Sequence, residues 1–234
     1  MKSATFCTVL ACLCAISSSA LATTIVVTHT DRGWYNAVGG SQPTNLNYFA
    51  GDSRDRGCVG PGCTDDFRNY FVFDLSSIGQ LIQSATLLLE LPAPDAFFSA
   101  DPSETYELHD VITSIPSLRD GSAGLAGHND LGSGTIYGSR TITASDIGTT
   151  VEIELNASAI SALNATHGLF GIGGSLTTLD QLRNAEVVFG HTSATEITAL
   201  RLTLVPEPAA NGLIAFAVTS LAMRFRRSVP RNRV

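Results

Sequence analysis

The strongest constraint on the fold lies in two stretches with strand character. Asn69-Tyr70-Phe71-Val72-Phe73-Asp74-Leu75 is aromatic and β-branched, and Ser84-Ala85-Thr86-Leu87-Leu88-Leu89-Glu90-Leu91 follows it after a short polar connection and stops at Pro92 and Pro94. Tyr70, Phe71 and Phe73 together with Leu87, Leu89 and Leu91 can supply much of a core, each worth about 1.5–3 kcal/mol when buried. Elsewhere the apolar residues alternate. Val151, Ile153 and Leu155 are set against Glu152 and Glu154, and Leu200, Leu202 and Leu204 against Arg201 and Thr203, the period of two of a half-buried strand. Further strands are expected at Thr24–His29, near Leu46–Phe49, and at Glu104–Val111, Gly134–Tyr137, Gly168–Gly173 and Ala185–Gly190, with turn-rich segments between them. Asp31–Gly40 reads as one of those turn-rich segments. One short helix is expected over Ala157–Asn164, capped by Asn156, and a further helical turn at Leu179–Asn184. No repeat of fixed period is visible. The fold class implied is all-β: an antiparallel two-sheet β-sandwich, jelly-roll-like, with one short helix.

The two ends of the chain have a different character. Lys2, the mostly apolar Ala4–Ile16 and Ala20-Leu21-Ala22 have the three-part layout of a signal peptide, with Thr23 as the first mature residue. At the other end, Val205-Pro206-Glu207-Pro208 cannot continue a helix or a central strand. A 15-residue apolar run, Ala209–Met223, follows, then a basic stop of Arg224, Arg226 and Arg227. As a transmembrane-type helix that run spans about 22 Å, short of the roughly 30 Å hydrocarbon core, so its arginines would snorkel to the cytoplasmic side. The organisation read from the sequence is thus a signal peptide over 1–22, a body over 23–204 and a sorting or anchor segment over 205–234.

The tail, with its Pro-Glu-Pro, apolar run and arginine cluster in that order, resembles the PEP-CTERM sorting signal of Gram-negative bacteria. The resemblance implies an exosortase as partner, transient membrane insertion of the tail, cleavage near the motif, and delivery through the inner membrane to the envelope, outer surface or extracellular matrix. The body, through Arg68-Asn69-Tyr70-Phe71-Val72-Phe73-Asp74-Leu75-Ser76 and then Ser84-Ala85-Thr86-Leu87, resembles exported DNRLRE-like β-sandwich domains. That resemblance implies a sandwich and a surface context, not a reaction.

Charge and cysteine usage agree with export. Thr23–Met223 holds eight arginines, no lysine and all 21 acidic residues, a formal charge of −13. Such a body lacks the basic footprint that nucleic-acid binding needs. Three of the five cysteines fall in the signal peptide, leaving Cys58 and Cys63 around a Gly60-Pro61-Gly62 turn, which reads as a disulfide. No zinc set accompanies them.

Candidate chemistry is sparse. Asp52, Asp55, Asp65 and Asp66 cluster beside the cysteine pair, and such a loop can offer oxygen ligands to calcium; the ordinary alternative is a solvated acidic loop paired with Arg54, Arg56 and Arg68. Trp34 and Tyr35 could form a sugar-stacking platform for exopolysaccharide. Glu152 and Glu154 share one strand face and could act as paired carboxylates of a glycoside hydrolase. None of the five histidines forms an HExxH or HxH pair, and no serine stands in G-x-S-x-G. The expectation is therefore a non-enzymatic exported protein without a required cofactor. The alternative is a carbohydrate-binding module.

Overall fold

A computed structural model describes residues 22–53, 66–94, 96–180, 185–189 and 197–206. Cys58, Cys63, Asp55, Asp65, Glu207, Pro208, Arg224, Arg226, Arg227 and the apolar run lie outside the described residues, as does nearly all of the signal peptide. No helix among the described residues is long and apolar enough to cross a membrane.

Within the compact unit Thr23–Val205 the chain is predominantly β, and the strand pairings among the described residues are all antiparallel. The first strand, β1 (Thr23–Asn36), belongs to both halves of one curled sheet. Thr23–Thr28 pair with β11 (Thr198–Leu204), which pairs on with β4 (Ile82–Glu90), and β4 with β8 (Thr150–Glu154). The register then breaks between His29 and Asp31, and Asp31–Asn36 pair with β3 (Asp66–Asp74). Beyond β3 lie β9 (Leu169–Leu176), β6 (Ser103–Asp110) and β7 (Ile136–Thr143), in that order. A short extension from β3 runs through β2 (Ala50–Asp52) and β10 (Glu186–Val188) to β5 (Phe97–Phe98). A strand that changes partners at a bulge is how an antiparallel sheet turns a corner. His29 Nδ1 lies 3.0 Å from the Thr198 carbonyl oxygen at that corner, and Thr30 Oγ1 donates to the Val72 carbonyl at 3.2 Å.

The curl brings two of the edge strands, β7 and β8, together. Gly138 passes so close to β8 that a Cβ there would stand 2.6 Å from the Glu154 carbonyl oxygen. Asn156 closes the seam: its backbone N–H donates to Tyr137 at 2.8 Å and its side-chain Nδ2 to Ile136 at 2.6 Å. Arg140 Nη1 adds a bond to the Glu152 carbonyl at 3.1 Å. Edge groups that would otherwise be open to a foreign strand are thereby covered.

Both faces of β3 are buried, each for its own reason. Phe71 and Phe73 point into the main core with Leu87, Leu89, Leu200 and Leu202 from the other half of the sheet. Tyr70 and Val72 point outward and are roofed by α1 (Ile115–Arg119) and α2 (Gly124–Asp130), forming a second cluster with Tyr35, Leu118 and Leu131. Ser114 caps α1 by accepting from Ser117 N, Pro116 stands in its first turn, and Arg119 pairs with Asp31 at 2.7 Å. Arg68 Nη1 donates to the carbonyls of His128 and Asn129 at 3.1 and 3.2 Å, holding the C-terminal end of α2.

Against the sequence reading, the strand at Asn69–Leu75, the alternating strands at 151–155 and 200–204, and the helix α3 (Ala157–Ala165) capped by Asn156 all appear. Three departures stand out. There are three α-helices among the described residues, not one. Asp31–Asn36 is strand rather than turn, because the residues are paired to β3 and roofed by the helices; Gly33 is required there by close approach, since a Cβ would meet the Tyr70 ring at 2.9 Å. And β2 begins at Ala50, after the stretch expected near Leu46–Phe49.

At the centre of the sheet a buried polar chain ties two strands, β6 and β3, to a loop. Tyr106 Oη donates to Asn69 Oδ1 at 2.5 Å, and Asn69 Nδ2 donates to the Tyr48 carbonyl at 2.6 Å. Gly174 leaves room for it, as a Cβ there would stand 2.5 Å from Asn69 Oδ1 and closer still to the Tyr106 hydroxyl. Gly174→Ala is expected to overpack this site and lower the unfolding free energy by about 1–3 kcal/mol, read as a fall in urea midpoint with unchanged slope; an unchanged midpoint contradicts the assignment.

Candidate functional site

The register places the two ends of the body together. Thr23 pairs with Leu204, and Val205 N donates to the Leu81 carbonyl at 2.7 Å. From this pole β1 runs 14 residues, about 43 Å of strand, to Asn36, which pairs with Phe67. Next to that far pole Asp66 pairs with Asp52, and Asp52 with Glu186.

The far pole carries a cluster of carboxylates. Glu104 stands on the core-facing side of β6, in the same alternation as Tyr106 and Leu108, and is fully buried. Its two oxygens accept from Ser99 Oγ at 2.6 Å and from Thr178 Oγ1. Glu186, on β10, is 3% exposed and accepts from the Asp180 N–H at 3.2 Å. One carboxylate oxygen from each of Asp101, Asp180 and Glu186 lies within 4.8 Å of the others. Burial pushes the Glu186 carboxyl up from its ordinary 4.5 to about 7, and Asp180 and Glu104 add to the push. Chemically this is an all-oxygen donor set. It suits a proton shared between acids or a hard cation such as calcium, and not zinc.

The residues singled out from the sequence are distributed differently. Asp52 is buried beside this pole, whereas Asp66 turns to Arg68 at 3.4 Å and His128 at 3.3 Å. Burial alone would raise Asp66, but His128 and Arg68 outweigh it and hold the carboxyl below its ordinary value. The pairing with Arg68 is the ordinary alternative to a calcium loop, and Asp66 is committed to it. Trp34 and Tyr35 do not form a platform. Neighbours on a strand face opposite ways: Tyr35 is fully buried and donates to the carbonyls of Ser117 and Leu118, while Trp34 packs against Phe49 and Phe67 with ring centroids 5.5 and 5.2 Å away. Glu152 is clamped by both terminal nitrogens of Arg201, and that hydrogen bonding lowers its carboxyl, the opposite of what a general acid needs.

Two buried histidines come from the sheet and its helical roof, His109 on β6 and His128 on α2. His109 and His128 are almost fully buried, and neither ring nitrogen of either one has a hydrogen-bond partner among the described residues. His128 Nε2 approaches Asp66 without the alignment of an N–H bond. Burial pushes His109 below its ordinary 6.5; Glu107 at 3.8 Å and Asp110 pull it back, and Arg68 adds to the push.

Asp101, Glu104, Asp180 and Glu186 carry no motif in the sequence because they come in two pairs, Asp101 with Glu104 and Asp180 with Glu186, from stretches more than 70 residues apart. One signal existed: Glu104 breaks the apolar phase of β6, where Tyr106 and Leu108 keep it. No protein-family model matches this chain, and no curated protein matches it either.

Glu186 gives a pH test. Its folded value lies above its unfolded one, so its contribution to stability is fully present below about pH 4.5 and is lost as pH rises through about 7. Glu186→Gln should remain folded and lose that portion of the pH dependence in urea unfolding between pH 4.5 and 7; parallel curves for the two proteins would refute the assignment.

Proposed function

We propose that this chain is a non-enzymatic exported surface protein, sorted by an exosortase-type system to the cell envelope or extracellular matrix. In this reading Thr23–Leu204 is the cargo, a two-layer antiparallel sandwich of jelly-roll type, and the terminal segments are its address. Ala209–Met223 enters the inner membrane transiently, and cleavage near Pro206-Glu207-Pro208 frees the body. Cys58 and Cys63 form a disulfide, and no cofactor is required.

The observation that carries the reading is the pairing of Thr23 with Leu204. The first residue after the expected signal-peptide cut and the last strand residue before the sorting motif are neighbours in one ladder. Both ends of the body therefore lie at the same pole, and the carboxylate cluster lies at the other. Exopolysaccharide binding through Trp34 and Tyr35 has no platform here, because the two rings face apart.

Replacing Pro206-Glu207-Pro208 by three alanines in cells that possess an exosortase tests the proposal. Wild-type protein is expected to begin at Thr23, lack the apolar run and leave the inner membrane, while the variant keeps its tail and stays there. Intact-mass measurement on fractionated cells reads both. Identical masses and locations for the two proteins would overturn the proposal.

A further inference from the structure

β11, the last strand in sequence among the described residues, is not an edge. Six register pairs join β11 to β1, from Thr23↔Leu204 to Thr28↔Ala199, and seven join it to β4, from Thr198↔Leu89 to Leu204↔Ile82. The two strands it joins have no other ladder between them. Thr23–Thr28 pair with β11 alone, and β4 pairs otherwise only with β8, whose other side meets β7 across the Asn156 and Arg140 seam and not through a ladder. Without β11 the backbone of β4 and β8 has no ladder to the rest of the sheet, and the first six residues of β1 have no partner strand. Leu200, Leu202 and Leu204 also fill the main core from this position. The contact is extreme in sequence: the His29–Thr198 pair is 169 residues apart. Pairings of such separation carry the highest loop-closure cost and form late.

We propose that β11 is a closing strand, and that the body cannot acquire its fold until the chain is available through residue 204. The half-sheet β1–β11–β4–β8 then forms in one step, around a strand that is the last to be made. Under the export reading above, this keeps the body unclosed while the chain is synthesised and threaded across the membrane. It also makes a finished fold the mark of a chain that has reached its sorting motif, which begins at the very next residue, Val205. The closing step itself rests only on topology and holds whether or not the tail is ever cut.

Pulse-labelled hydrogen exchange during refolding of the purified full-length chain from urea tests it, independently of any tail processing. Amides of Thr23–Thr28, β4 and β8 are expected to gain protection together with those of β11. Protection of those segments in a phase that precedes β11 would overturn the proposal. A second measurement uses Leu202→Pro in the full-length chain, which removes a ladder bond from a central strand. Exchange protection in β4 and β8 is expected to fall by at least about 100-fold; native protection there in the variant would equally overturn it. Leu131→Ala, under α2, serves as the comparison: it should lower overall stability and leave the order of closure unchanged.

Discussion

The structure depends on one strand being shared between two half-sheets. β1 spends its first six residues on β11 and its last six on β3, and turns the corner at the break between His29 and Asp31. Since side chains alternate along a strand, this sharing fixes which face of each half looks inward, and so fixes the composition of the core. It also carries a charge into the interior. Arg32 is fully buried immediately after the bulge; its Nε donates to the Leu46 carbonyl at 2.8 Å and its guanidinium lies 4.3 Å from the centre of the Tyr48 ring. Desolvating a guanidinium is costly, and a carbonyl plus an aromatic face are among the few settings that offset it.

From the shared strand follows a polarity of the whole body. One pole holds both ends of the body, locked by the Thr23–Leu204 pair and the Val205–Leu81 bond. The other gathers acidic side chains of opposite character. Asp66 is paired with His128 and Arg68 and held below its ordinary value, whereas Glu186 is crowded by other acids and pushed above its own. The helical roof adds a third environment, in which burial lowers His109 while Arg68 nearby anchors α2. Each of these shifts has its cause in tertiary neighbours, not in the residue's own segment.

The residues that were legible were those whose local pattern and final environment agree. Asn156 caps α3 as its position predicts, with its Oδ1 accepting from Ala159 N at 3.1 Å. Val151, Ile153, Leu200 and Leu202 are buried in the phase their alternation predicts. Illegible segments were those where tertiary pairing overrode composition. Asp31-Arg32-Gly33 looks like a turn and is a strand because β3 pairs along it. The glycine-rich Gly121–Gly127 stretch supports α2 only because Arg68, Tyr35 and Leu131 hold it to the sheet.

By itself, the sequence determined the all-β character, the strand phases, the α3 cap and the separation of an acidic body from two apolar ends, because each is set by residues within one turn or strand of each other. Tertiary structure alone decided that Trp34 and Tyr35 face apart, that Asp66 answers to Arg68 and His128, and that Asp101, Glu104, Asp180 and Glu186 meet. Those outcomes depend on which strands become neighbours. That choice is made by closing loops of up to nearly the whole chain length, and no local spacing of residues encodes it.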